Sequence, residues 1–105
     1  MNDLLRGHLD LLVLSVLRDG PLHGYAIIQT LRERSDGDFY ILEGTLYPAL
    51  HRLEARGLVK STWDSTSGRR RRIYSLTRRG VSALAARSKE WRSFARSLEV
   101  VIGHS

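Results

Sequence analysis

The chain has 105 residues, 17 Lys+Arg against 11 Asp+Glu, and no cysteine. That length holds one domain with at most an appended element, and leaves no room for a deep cleft between two lobes. Without cysteine there is no disulfide scaffold, zinc ribbon, iron–sulfur site or thiol nucleophile. Hydrophobic content of 42% with 27% charged is that of a globular chain. The opening MNDLLRG has no charged leader or cleavage site, and the longest nearly apolar run, Leu11 to Leu17, is far short of a membrane span. A cytoplasmic protein with no membrane partner is expected.

The first element in chain order is a helix from Leu4 to Arg18. Leu5, Leu9, Leu12, Val13 and Val16 form one stripe, with Leu4, Leu11 and Leu14 off it. A helix apolar on most of its circumference is buried on more than one side, and a second subunit is a candidate for one wall. Asp19-Gly20-Pro21 ends it. A second helix spans about Tyr25 to Arg34, with Tyr25, Ile28 and Leu31 on one face. Tyr25 is either a core or interface aromatic or part of a phosphate site at the helix start. The turn cluster Ser35-Asp36-Gly37-Asp38 follows. A third helix, about Glu43 to Arg56, has the inward stripe Leu46, Ala49, Leu50 and Leu53, and Gly57 stops it.

The period then changes. Leu58 to Asp64 and Arg71 to Leu76 read as strands joined by a turn at Ser65-Thr66-Ser67-Gly68. Thr77 is an N-cap for a last helix reaching about Ile102, with Gly80 slightly weakening its first turn. Val81, Leu84, Ser88, Trp91, Ala95, Leu98 and Ile102 recur at heptad spacing, which calls for the same helix of a second subunit. The fold class expected is mainly α with a two-stranded β-hairpin: a winged helix-turn-helix over residues 1–76, then a C-terminal dimerisation helix over residues 77–105.

Charge follows this division. Residues 1–59 hold 6 basic and 8 acidic groups; residues 60–105 hold 11 basic and 3 acidic ones, including Arg69-Arg70-Arg71-Arg72. An arginine-rich half points to a polyanion, because guanidinium presents a planar fork that fits phosphate. On the third helix, steps of 100° per residue place Gly44, Pro48, His51 and Ala55 opposite Leu46, with Tyr47 and Arg52 flanking. Gly44, Thr45, Tyr47, Pro48, His51 and Arg52 are candidate DNA-binding residues there, and Pro48 leaves the carbonyl near Gly44 unbonded. On the wing the candidates are Arg69, Arg70 and Arg71, with Lys60 behind them and Arg72 lying along the domain body.

The segments LDLLVLSVL, GPLHGYAI, EGTLYPALHRLEARGLV and GRRRRIYSLTRRG, in that order, resemble the PadR family of transcriptional regulators, over nearly the whole chain. The C-terminal helix resembles that of the short subfamily. The resemblance implies a homodimeric repressor on a near-palindromic double-stranded operator, released by a small aromatic or hydrophobic effector. In drug-responsive members a tryptophan stands at the place of Trp91, after the Leu-Thr that ends the wing. Trp91 is then either plain dimer core or an effector platform, with Ser88, Ala95, Phe94, His8, Leu5 and Leu12 as lining. Val81, Leu84, Trp91, Leu98 and Ile102 are the expected dimer contacts.

Other classes fit less well. A protein-interaction winged helix without an effector site needs an apolar outward face on the third helix, and the arginine wing argues against it. A small hydrolase lacks a nucleophile–base arrangement on one surface. Neither a cofactor nor a metal is expected. No two of His8, His23, His51 and His104 are three or four residues apart, so a metal site would have to be assembled across the fold or a dimer.

Overall fold

The structure, a computed structural model, describes residues 2–103. Helix α1 spans Asp3–Leu17, and its N-cap Asn2 accepts from the Leu5 amide at 2.7 Å. Strand β1, Leu22–His23, leads into α2, Gly24–Arg34. Helix α3 is Glu43–Ala55, β2 is Val59–Asp64, β3 is Arg71–Leu76 and α4 is Arg78–Ile102.

The expected hairpin forms, with Val59 opposite Leu76 and Asp64 opposite Arg71. It is joined by a third strand: β1 pairs antiparallel with β3, Leu22 facing Tyr74 and His23 facing Ile73. Two residues after a proline show no periodicity, so this strand leaves no trace in the sequence. Its effect is to tie the start of α2 to the root of the wing.

The core lies among α1, α2, α3 and the sheet. Leu9, Val13, Leu14 and Leu17 of α1 meet Ile27 and Leu31 of α2 and Leu46, Ala49, Leu50 and Leu53 of α3, all buried. Helix α1 packs against α2, α3, α4 and β3, so this chain itself covers α1 on several sides. Tyr25 departs from the stripe drawn for α2: Ile27 and Ile28 turn inward, and Tyr25 is 60% exposed.

Helix α4 starts inside this core. Thr77 Oγ1 donates to the Gly57 carbonyl at 2.6 Å and accepts from the Gly80 amide at 3.0 Å. Gly80 is buried, and a Cβ there would lie 3.0 Å from the Leu58 carbonyl carbon and 3.3 Å from Leu76 Cδ2. The glycine therefore serves close packing, a role beyond the weakened helical turn expected of it. Leu84, expected in a dimer seam, is 4% exposed and belongs to the core of its own chain.

Beyond Leu84 the helix leaves the buried core but still borders α1, whose His8 meets Trp91. A 25-residue helix is about 37 Å long, and the molecule measures 54 × 28 × 21 Å. Val81, Trp91, Phe94, Leu98 and Ile102 are exposed along it, Trp91 by 46% and Leu98 by 45%. No helix among the described residues is long and apolar enough to cross a membrane.

Candidate nucleic-acid interface

Helix α3 presents the outward face that its periodicity demands. Gly44, Pro48, His51 and Ala55 are exposed, Thr45 is half-buried, and Leu46, Ala49, Leu50 and Leu53 are inside. Pro48 sits within the helix on this exposed face, where the carbonyl that it leaves unbonded can meet water or a ligand.

Two residues given to this face have partners elsewhere. The Tyr47 ring lies over Gly24, where an added Cβ would come within 3.0 Å of Cε1. The tyrosine thus docks the start of α3 on the start of α2, and only a glycine leaves room for it. Neither helix start has a side-chain cap, since their N-caps are His23 and Leu42. Arg52 donates to Asp10 of α1 at 3.3 Å, and Arg56 approaches the same carboxylate at 3.8 Å. The free arginine fork expected at Arg52 is therefore engaged with α1. Asp10 lies 42 residues upstream, so the sequence pattern on α3 gives no sign of it.

The wing is tied to α3 by a short polar chain. Arg72 Nη1 donates to Ser61 Oγ at 3.0 Å, and Ser61 Oγ donates to Glu54 Oε2 at 2.8 Å. Arg72 thus lies along the domain body, as alternation implies. At the tip, Asp64 accepts from the Thr66 amide at 3.0 Å and from its hydroxyl at 2.8 Å. These bonds hold the Asp64 carboxyl below its ordinary value of 3.8, with His23 and Arg71 adding to the effect against some desolvation. His23 Nε2 stands 3.5 Å from Asp64, so β1 also braces the end of β2. Burial pushes the Tyr74 phenol up, with Tyr47 and Glu54 acting in the same direction and Arg72 opposing.

Arg69 and Lys60 are exposed and have no ion pair or side-chain hydrogen bond among the described residues. Arg71 donates to Ser67 Oγ at 3.0 Å, while Arg70 and Arg72 lie over the Trp63 ring. The turn and the start of β3 therefore carry four exposed arginines, none in a direct ion pair among the described residues.

A second feature lies between α1 and α4. A groove of about 610 Å³ is lined by His8, Leu12, Ser88, Trp91, Phe94 and Ala95, together with Leu4, Leu5 and Leu98. All the residues expected to line an effector site meet here. The His8 ring stands edge-on to Trp91 at 6.4 Å, and its Nδ1–H donates to the Leu4 carbonyl at 2.7 Å. A second cleft of about 460 Å³ has Arg6, Asp10, Arg52, Arg87 and Glu90 in its wall and shares Trp91 and Phe94 with the groove. Among the described residues no three histidine or carboxylate groups converge on a metal-sized site; His104 lies outside the described residues.

A helix-turn-helix followed by a basic β-hairpin, here β2 and β3 of a three-stranded sheet, defines a winged-helix protein. Comparison with known proteins narrows the class. The model of the "Transcriptional regulator PadR-like family" matches residues 13–86, and this chain belongs to that family. It is 36% identical to a transcriptional regulator of Mycobacterium tuberculosis, over the whole of this chain and 94% of that one. A transcriptional regulator of Clostridium thermocellum superposes with a TM-score of 0.89 at 31% identity, covering 97% of this chain and all of the other. A PadR family regulator of Clostridium difficile gives 0.82 at 36% identity, over 92% and 100%. The protein is a transcriptional regulator of this family and not an enzyme.

Proposed function

We propose that the protein is a homodimeric repressor that grips double-stranded DNA with α3 and the wing and is released by a small aromatic or hydrophobic effector. The observation that carries the DNA reading is the pairing of two surfaces. The exposed face of α3 and the exposed arginines of the wing are joined through Glu54, Ser61 and Arg72. Gly44, Thr45, Pro48 and His51 approach the major groove, while Lys60, Arg69, Arg70 and Arg71 meet phosphates or the minor groove. Tyr47 and Arg52 contribute by leaving Gly24 and Asp10. Two subunits joined along the exposed α4 residues Val81, Trp91, Leu98 and Ile102 set two α3 helices about 34 Å apart, which calls for a near-palindromic operator.

The α1–α4 groove is the effector site in this reading. Its volume is within the range of about 300–1,000 Å³ that small-molecule sites occupy, and its lining is mostly apolar. A flat aromatic compound stacks on Trp91, and few polar groups restrict which one. Binding favours release only through a difference in affinity between the two head spacings.

Purified protein incubated with fragmented genomic DNA should retain a small set of fragments sharing a near-palindromic sequence. Retention of no preferred fragment would overturn the regulatory reading. For the effector, planar aromatics should quench Trp91 emission in a Trp63→Phe background and release the retained DNA in parallel. Trp91→Ala should abolish that release; an unchanged response would move the effector site elsewhere.

A further inference from the structure

Trp63 stands near the free end of β2, directly opposite Arg72 on β3. Half of its surface faces solvent, an unfavourable position for a large ring at a hairpin tip. Two guanidinium groups cover it. The Arg70 Cζ lies 4.3 Å from the ring centroid and the Arg72 Cζ lies 4.6 Å from it. A stacked guanidinium gives its flat face to the indole and keeps its N–H edges free to bind an anion.

The two arginines are not held alike. Arg72 has a second anchor in Ser61, which is itself bonded to Glu54 of α3. Arg70 belongs to the turn and has only the ring as a partner among the described residues. Neither is paired with a carboxylate within 4 Å. Both cations stack on one ring, and neither has a direct carboxylate partner, so each keeps N–H groups to offer an external anion.

We propose that Trp63 is a positioning residue for DNA contact: its indole restrains the Arg70 guanidinium, so that the wing meets a phosphate with that fork already in place. This rests on the reading of the wing as a DNA contact. An unrestrained arginine loses rotamer freedom when it binds, and a ring that already restrains it removes part of that loss. The alternative is that Trp63 only fills the inner face of the hairpin. It would then act on stability, and its effect on DNA would be independent of Arg70.

A double-mutant cycle separates the two. The full chain is titrated into a labelled mixed-sequence duplex of about 30 base pairs at low salt, where phosphate contacts dominate. Trp63→Leu, which keeps apolar bulk but removes the ring, should weaken binding about 3- to 10-fold, and Trp63→Phe should recover most of it. With Arg70→Ala already in place, Trp63→Leu should change affinity less than about twofold. An equal loss in both backgrounds, or no loss in Trp63→Leu, would overturn the proposal. If Trp63→Leu also lowers the melting midpoint, the Phe variant and the Arg70 cycle still decide. An Arg69→Ala, Arg70→Ala, Arg71→Ala triple variant that binds like the unaltered chain would refute the wing reading itself. A weakened triple variant beside an unaffected Trp63→Leu refutes the positioning role alone.

Discussion

Leu84 and Leu98 stand on one heptad seam, yet the structure gives them different roles. Leu84 is 4% exposed inside its own chain, whereas Leu98 is 45% exposed. Truncating a buried leucine removes its transfer free energy and leaves a cavity, together about 2–5 kcal/mol. Against a total stability of about 5–15 kcal/mol, Leu84→Ala should remove a large share of the fold's margin. Leu98 keeps nearly half its surface outside the monomer, so an aspartate there still reaches water in the isolated chain and costs it less than a change at Leu84. In a dimer it places an unpaired charge in an apolar seam, at about 3–5 kcal/mol per buried charge. Sedimentation equilibrium and urea unfolding over a range of protein concentrations separate the effects. Leu98→Asp should sediment as a monomer and lose the concentration dependence of its unfolding midpoint. Leu84→Ala should unfold at lower urea while still associating at low temperature. A Leu98→Asp protein that remains dimeric on dilution would refute the seam. So would a Leu84→Ala protein that dissociates at unchanged monomer stability.

Gly80→Ala sets helix propensity against packing. Alanine favours the helix by about 1 kcal/mol. Its methyl group would lie against the Leu58 carbonyl, and overpacking costs about 1–3 kcal/mol. Because the obstacle is backbone, a net loss in the thermal midpoint is expected, and a gain would contradict the close approach. Asp10→Asn should release Arg52 and Arg56 and raise DNA affinity several-fold in a binding titration. Asp19→Asn, which frees Arg34 on α2, is the control and should change it less. The Asp64 carboxyl is lowered by the Thr66 bonds, so the stability that it adds is complete above 3.8 and is lost as pH falls through its lower folded value. Carboxyl NMR should place its midpoint below 3.8; one at or above that value would deny the turn bonds.

The features legible in the sequence are those set by local chemistry. The stripe of Leu46, Ala49, Leu50 and Leu53 fixes both faces of α3, Thr77 caps α4 as its type predicts, and the turn residues after Asp64 set the hairpin. Heptad spacing puts Ser88, Trp91 and Ala95 on one side of α4 and calls for a second subunit there, whereas in the structure these residues face α1 of their own chain across the groove. Contacts between distant segments were not legible. Heptad spacing gives Leu84 and Leu98 the same sign, and only the burial of Leu84 in the core of its own chain separates them. The Tyr47 ring on Gly24, the Asp10 carboxylate beside Arg52, and the role of Gly80 all depend on helices meeting at particular points. Trp63 had the clearest overlooked signal. A large aromatic on the strand facing four arginines, in a hairpin whose register could be drawn, already placed a guanidinium over its ring.

The claim that α3 and the wing form the DNA-binding surface is tested most directly by the salt dependence of binding. Affinity for the retained genomic fragment is measured over a range of salt, for the unaltered chain and for the Arg69→Ala, Arg70→Ala, Arg71→Ala variant. Each phosphate neutralised contributes about 0.9 to the slope of log affinity against log salt. Three wing arginines on phosphates predict a slope shallower by up to about 3 per subunit, together with weaker binding. An unchanged slope and an unchanged affinity would contradict the account and put the DNA on another face of the molecule.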